Sequence, residues 1–213
     1  MYETAEETIK FKNIKTKTKD GVMLRGFYFA YSAAKKDGKR SRMIQYMHGT
    51  TTYLPNKIDY FVNLSKELKT DVLCFPYRGF SYSDPGAPSE PAFLLDSEAM
   101  TEYFAKLVEE KGGVNAVEPI MFGRSWGCST ALSSLLSKSD LYEILILEGA
   151  FTSAKAAMTV STKVIGGCLG MLCKSNWRND WMINDVKVPI LFISGTLDKK
   201  CPHYMTEQLY RRA

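Results

Sequence analysis

Histidine is scarce in this chain: two in 213 residues, His48 and His203. With no C-x-x-C pair to supplement them, a zinc centre is excluded as an expectation, and no metal ligand is assigned. The five cysteines, Cys74, Cys128, Cys168, Cys173 and Cys201, are odd in number and form no closely spaced framework. That usage argues against disulfides and for a reducing, cytoplasmic setting. Long apolar runs are missing too. The longest, 164–173, is short and carries three glycines, Gly166, Gly167 and Gly170, so it does not cross a bilayer. The first residues, Met1-Tyr2-Glu3-Thr4-Ala5-Glu6-Glu7, are acidic and polar and do not read as a signal peptide. No internal repeat and no low-complexity tract appears.

What is present is ordinary globular material: 45% hydrophobic and 24% charged residues with a net charge of +5. The length fits one domain, 1–213, with a sizeable core. The surplus positive charge sits in Lys10, Lys12, Lys15, Lys17 and Lys19 and in the stretch Lys35 to Arg42. Solvated strand edges and a basic loop explain it; peripheral contact with an anionic membrane is the alternative. No helix concentrates arginine with interleaved aromatics, so nucleic acid is not an expected partner. The oligomeric state stays open.

Phe11 to Thr18 alternates with lysine at the period of a half-exposed strand, Asp20-Gly21 marks a tight turn, and Val22 to Phe29 returns. An antiparallel hairpin is expected there. Apolar runs follow at 43–47, 72–75, 120–122, 143–147 and 189–193, separated by helical spacing over 58–68 and 94–108. Short apolar strands alternating with helices predict a mostly parallel, doubly wound α/β sheet covered on both faces. Residues 152–187 break the rhythm and read either as a crossover helix with a long connection or as a small lid. Val164, Ile165, Leu169, Met171 and Leu172 would make such a lid apolar, though the same residues suit a core.

The chemistry concentrates at Gly123-Arg124-Ser125-Trp126-Gly127. The pentapeptide stands between the apolar run Pro119-Ile120-Met121-Phe122 and the small-residue helix beginning at Cys128. A G-x-S-x-G in strand–turn–helix context is a nucleophile elbow, whose glycines permit a turn tight enough to project the serine hydroxyl. Ser125 is therefore the candidate nucleophile. An alcohol needs a base and an orienting acid. Asp198, just past the last predicted strand, stands in the chain order expected of the acid, or else merely closes its own turn. His48-Gly49-Thr50 ends a strand where a sharp bend would turn a backbone N–H toward Ser125. The N–H groups of Thr50 and Trp126 are the expected oxyanion hole. The Trp126 side chain either restricts access or simply packs.

The base is the gap. His203 follows Asp198 by five residues, too little chain to bridge Asp198 and Ser125, and Cys201-Pro202-His203 reads better as the start of a helix. His48 is explained by its turn.

Taken in order, His48-Gly49, Tyr77-Arg78-Gly79-Phe80-Ser81-Tyr82-Ser83, Gly123 to Gly127, Leu147-Glu148-Gly149-Ala150-Phe151 and Ile193 to Asp198 resemble the α/β-hydrolase superfamily. Within it they resemble the bud-emergence-related group of α/β-hydrolase-domain proteins, relatives of its depalmitoylating members. The resemblance implies Ser125 as nucleophile, Asp198 as acid, Thr50 and Trp126 as oxyanion donors, and no cofactor. The fold's final strand and helix and the family's histidine find no counterpart, so a C-terminally truncated domain is expected. Members often carry an N-terminal membrane anchor; none is expected here. A second glycine after the elbow is replaced by Cys128, expected to pack beneath the helix start. Two functions follow. One is a serine hydrolase cleaving carboxylic esters or thioesters of a small-molecule or acylated substrate through an acyl-enzyme on Ser125. The other is an inactive or truncated hydrolase-fold protein lacking the triad histidine.

Overall fold

The structure, a computed structural model, describes residues 3–4, 7–32, 40–50, 53–161 and 177–213. The apolar lid residues 164–172 lie outside the described residues. Among those described, the strands β1 (Glu3–Thr4), β2 (Glu7–Lys17), β3 (Met23–Ser32), β4 (Ser41–Met47), β5 (Thr70–Cys74), β6 (Val117–Arg124), β7 (Ile144–Glu148) and β8 (Ile190–Ile193) form one sheet. Its order is β1-β2-β3-β5-β4-β6-β7-β8. The first three pair antiparallel and β5, β4, β6, β7 and β8 run parallel, the α/β architecture expected. The hairpin holds register from Thr8 opposite Ser32 to Lys17 opposite Met23. Its turn closes where the Gly21 N–H donates to the Thr18 carbonyl at 2.9 Å.

Alternation along the parallel strands explains why both faces are covered. On one face Ile44, Tyr46, Val72, Cys74, Ile120 and Phe122 pack with Phe61 and Val62 of helix α1 (Ile58–Leu68). On the other, Met43, Met47, Leu73 and Met121 pack with Met100 and Phe104 of α2 (Glu90–Glu110) and Ala131, Leu132 and Leu135 of α3 (Gly127–Ser137). The helix after β4 thus covers one face and the helix after β6 the other. A crevice opens at the carboxyl ends of these adjacent strands, where ligands of doubly wound sheets bind. Among the described residues three shorter helices follow, α4 (Ala154–Ser161), α5 (Asn179–Met182) and α6 (His203–Tyr210).

Helix α2 begins four residues before the apolar spacing that predicts it. Ser89 caps it by accepting from the Ala92 N–H at 3.3 Å, and Pro91 sits in its first turn. Strand β8 is the edge of the sheet among the described residues, with Leu191 and Ile193 exposed.

One buried network ties the hairpin turn to α2. The Arg78 N–H and Nε–H donate to the two oxygens of Asp96 at 2.8 Å each. Its remaining nitrogens grip Asp20 at 2.6 and 3.0 Å. Asp96 is wholly buried and Asp20 is not. Truncating the buried partner leaves the buried guanidinium with Asp20 alone and strips the Arg78 N–H and Nε–H of their acceptor. Asp96→Ala is expected to cost about 3–5 kcal/mol, and Asp20→Ala, at the wetter end, distinctly less. Urea unfolding midpoints of the two variants measure the difference.

Candidate active site

Strand β6 stops at Arg124 and α3 starts at Gly127, leaving two residues to reverse direction. Ser125 takes the strain with φ = +54°, a left-handed conformation rare for a residue with a side chain. Its N–H donates to the Glu148 carbonyl at 2.8 Å, and its carbonyl accepts from the Cys128 N–H at 2.9 Å. One neighbouring position admits only glycine and another is tight. A Cβ on Gly127 would stand 2.0 Å from the Met47 carbonyl oxygen, and one on Gly49 would stand 3.2 Å from the Ser125 Cβ. The end of β4 therefore wraps the elbow and brings Thr50 beside it.

His48 is the buttress of that wrap. Wholly buried, it receives the Tyr77 N–H on Nε2 at 3.2 Å. Nδ1 then carries the proton and donates to the Gly49 carbonyl at 2.7 Å. The Tyr77 and Phe80 rings enclose it at 4.5 and 5.6 Å. Both nitrogens are committed, so His48 is not a base for Ser125. His203 opens α6, is exposed, and does not line the cavity at Ser125.

That cavity, about 320 Å³, is lined by Ser125, Asp198, Arg124, Glu148, Lys57 and Cys201 among others. Asp198 faces the serine side of the molecule. Its Oδ1 accepts the N–H groups of Lys200 and Cys201 at 2.8 and 3.0 Å. Its Oδ2 lies 3.7 Å from where a side chain on Gly149 would begin. Asp198 is thus both a turn-closing carboxylate and a cavity wall. Arg124, in register with Glu148 on β7, pairs with it at 3.3 Å.

Thr50 and Trp126 line a second cavity of about 450 Å³ with Phe80, Phe93, Met158 and Trp177. The Trp126 ring packs on Phe151 and Trp177 at 5.3 and 5.7 Å. Cys128 is fully buried, and its S–H points to the Gly123 carbonyl at 3.3 Å.

Cys201 had no role in the sequence reading. Its Sγ lies 3.9 Å from Ser125 Oγ, and burial pushes its thiol up. The signal was its place three residues past Asp198, inside the turn that Asp198 closes. The Arg124–Glu148 pair and Lys57 were also missed, since only strand register and the crevice bring them to Ser125. Among the described residues no group of three or more His, Cys, Asp and Glu is arranged to hold a metal, and no helix is long and apolar enough to cross a membrane.

No protein-family profile matches the chain. Its backbone superposes on an alpha-beta hydrolase from Vibrio vulnificus with a TM-score of 0.74 at 20% identity, covering 95% of this chain and 69% of that one. It superposes on the Pyrococcus furiosus esterase Pf2001 with a TM-score of 0.71 at 16% identity, covering 96% and 77%. The chain is an α/β-hydrolase-fold protein. In sequence it is similar to the alpha/beta hydrolase domain-containing protein WAV2 of Arabidopsis thaliana, 25% identical over 216 residues. That match takes in 95% of this chain, which spans about two thirds of the relative's length (67%).

Burial lowers the His48 pKa to about 4. The unfolded chain, with an ordinary imidazole near 6.5, takes up a proton first as pH falls, so native stability is intact above about 6.5 and drains toward 4. A loss of about 3 kcal/mol is expected over that window from this group. NMR of the imidazole should show the neutral Nδ1–H form persisting to about pH 5; protonation near 6.5 would refute the buttress role.

Proposed function

We propose that this chain carries the acyl-transfer half of a serine hydrolase site. Ser125 is the nucleophile, Asp198 the acid, and the backbone N–H groups of Thr50 and Trp126 the oxyanion donors. The observation that carries the reading is the strained elbow. Ser125 holds φ = +54° at the crevice of the sheet with its hydroxyl on a cavity shared with Asp198. Such strain costs of order 1–3 kcal/mol and persists where neighbours over-determine it, as they do at functional sites.

Attack of Ser125 Oγ on an ester or thioester carbonyl forms a tetrahedral oxyanion. Preorganised backbone donors hold that charge without reorganising. The opening of α3 adds its positive dipole end, and the first N–H groups of a helix lack intrahelical acceptors. A base, imidazole in the experiment below, takes the Oγ proton on attack and returns it to the departing oxygen or sulfur, so that an alcohol or thiol leaves and an acyl-enzyme remains for water to hydrolyse. The hydrolase-fold neighbours include esterases, which supports ester chemistry for this chain. Three described cysteines, all free and buried, fit a reducing compartment.

Within residues 1–213 the reading assigns nucleophile, donors and acid, and no base, because His48 is committed and His203 faces solvent. That observation favours a second reading, a hydrolase-fold protein without turnover. One experiment separates them. The 213-residue polypeptide is expected to hydrolyse p-nitrophenyl acetate on the order of 10⁶-fold below a complete triad. Added imidazole, small enough for the cavity, is expected to raise its rate well above that of Ser125→Ala at the same concentration. With imidazole present, a fluorophosphonate should form an adduct on Ser125, read by mass spectrometry. Equal imidazole dependence in both proteins, with no adduct, would leave the non-catalytic reading.

A further inference from the structure

The cavity that holds Ser125 carries more positive than negative charge on its walls. Lys57, Arg124 and Lys200 line it, with Glu148 and Asp198 as the carboxylates. Arg124 is matched, since a Glu148 oxygen stands 3.3 Å from its Nε. Asp198 is engaged in its own turn, where Oδ1 accepts the N–H groups of Lys200 and Cys201. The two lysines are different. Among the described residues neither Lys57 nor Lys200 forms an ion pair, and the Lys57 ammonium lies over the Tyr60 ring at 6.0 Å. Lys57 closes the short 3₁₀ helix Leu54–Lys57, and Lys200 lies in the turn after β8, so two distant segments each bring an unmatched cation to one cavity. We propose that this cavity binds an anionic group of the substrate, a carboxylate or a phosphate, and that Lys57 and Lys200 select it. This rests on Ser125 being the nucleophile only in so far as the bound molecule is a substrate.

Electrostatics gives the sign. The Arg124–Glu148 pair cancels most of its own charge, which leaves two ammonium groups against the Asp198 carboxylate. Lys57 is half-buried, and an ammonium drawn partly out of water without a counter-charge loses hydration that nothing returns. A bound anion supplies that counter-charge. Low-dielectric walls also focus the field, so a cleft with surplus positive charge concentrates anions at its mouth. The volume, about 320 Å³, is at the low end for ligand pockets and suits one charged portion of a small molecule.

Protection of Ser125 tests this. The 213-residue chain is treated with diisopropyl fluorophosphate, a neutral reagent, in the presence of imidazole and at fixed ionic strength. Labelling is followed by mass spectrometry. Succinate supplies the carboxylate, glycerol 2-phosphate the phosphate, and glycerol the uncharged control. At least one anion should slow labelling saturably while glycerol does not, and the tighter of the two names the group. In the double variant Lys57→Gln/Lys200→Gln the half-protecting concentration should rise at least about fivefold, the scale of losing two partly exposed ion pairs. Lys199→Gln, which removes a neighbouring charge outside the cavity lining, should leave it unchanged. Protection by neither anion, equal protection by glycerol, or equal protection in the double variant overturns the anion site and leaves the serine reading standing. Absence of labelling in every protein overturns the serine reading instead, and the anion site is then decided by NMR of the Gly149 and Cys201 amides. Saturable shifts on adding the anions, weakened in the double variant, support it; shifts that do not saturate, or that are equal in both proteins, overturn it.

Discussion

The site depends on one close approach. The Met47 carbonyl oxygen occupies the space that a side chain at position 127 would need, and Gly49 lies against the Cβ of Ser125. Two chain segments, the end of β4 and the turn after β6, are pressed together until only hydrogen fits between them. Strands β4 and β6 are hydrogen-bonded neighbours from Ser41 opposite Val117 to Met47 opposite Gly123, so the pressure is delivered by sheet register. Neither segment would hold its shape alone. Ser125 keeps a left-handed backbone because Glu148 and Cys128 pin it from both sides, and Gly49 keeps its bend because buried His48 braces it.

That arrangement makes the asymmetry of the cavities a consequence of topology. Strand β7 ends beside β6 and contributes Glu148 and Gly149, and β8 leads into the Asp198 turn. Apart from Lys57, just before α1, that flank comes from strand ends and short turns, which present polar groups. The other flank is built from the start of α2, from α3's first turn and from α4, and helices packed against a sheet present the edges of the core. A polar side that takes in Ser125 and an apolar side that takes in Trp126 adjoin at the turn between β6 and α3.

Much of this was legible in the chain. The hairpin, the strands and α1 follow apolar spacing closely, because a sheet covered on both faces demands near-continuous apolar strands. The elbow was legible because close approach leaves glycine no substitute, and the Asp198 turn because it directly follows a strand. What the spacing could not show is what depends on register and crossover: the Arg124–Glu148 pair, the Arg78 network joining residue 20 to residue 96, and Cys201 at 3.9 Å from the serine oxygen. Contacts between positions dozens of residues apart leave no local periodicity. Helix α2 began earlier than its apolar residues implied for a similar reason, since a cap and a proline set helix starts irrespective of the buried stripe.

The two histidines show how position decides chemistry. An imidazole beside a nucleophilic serine invites a catalytic role, and His48 is next to the glycine that touches Ser125. Yet the Tyr77 N–H claims one ring nitrogen and the Gly49 carbonyl the other, and burial holds the ring neutral. A base must exchange a proton with its serine; a ring whose proton is already committed to shaping the chain cannot do so without releasing the loop it supports. His48 therefore contributes by fixing the segment that carries the Thr50 N–H. The strain at Ser125 and the neutrality of His48 are then two sides of one construction, in which the backbone around the serine is held rigid, as the proposed oxyanion hole at the Thr50 and Trp126 N–H groups would require.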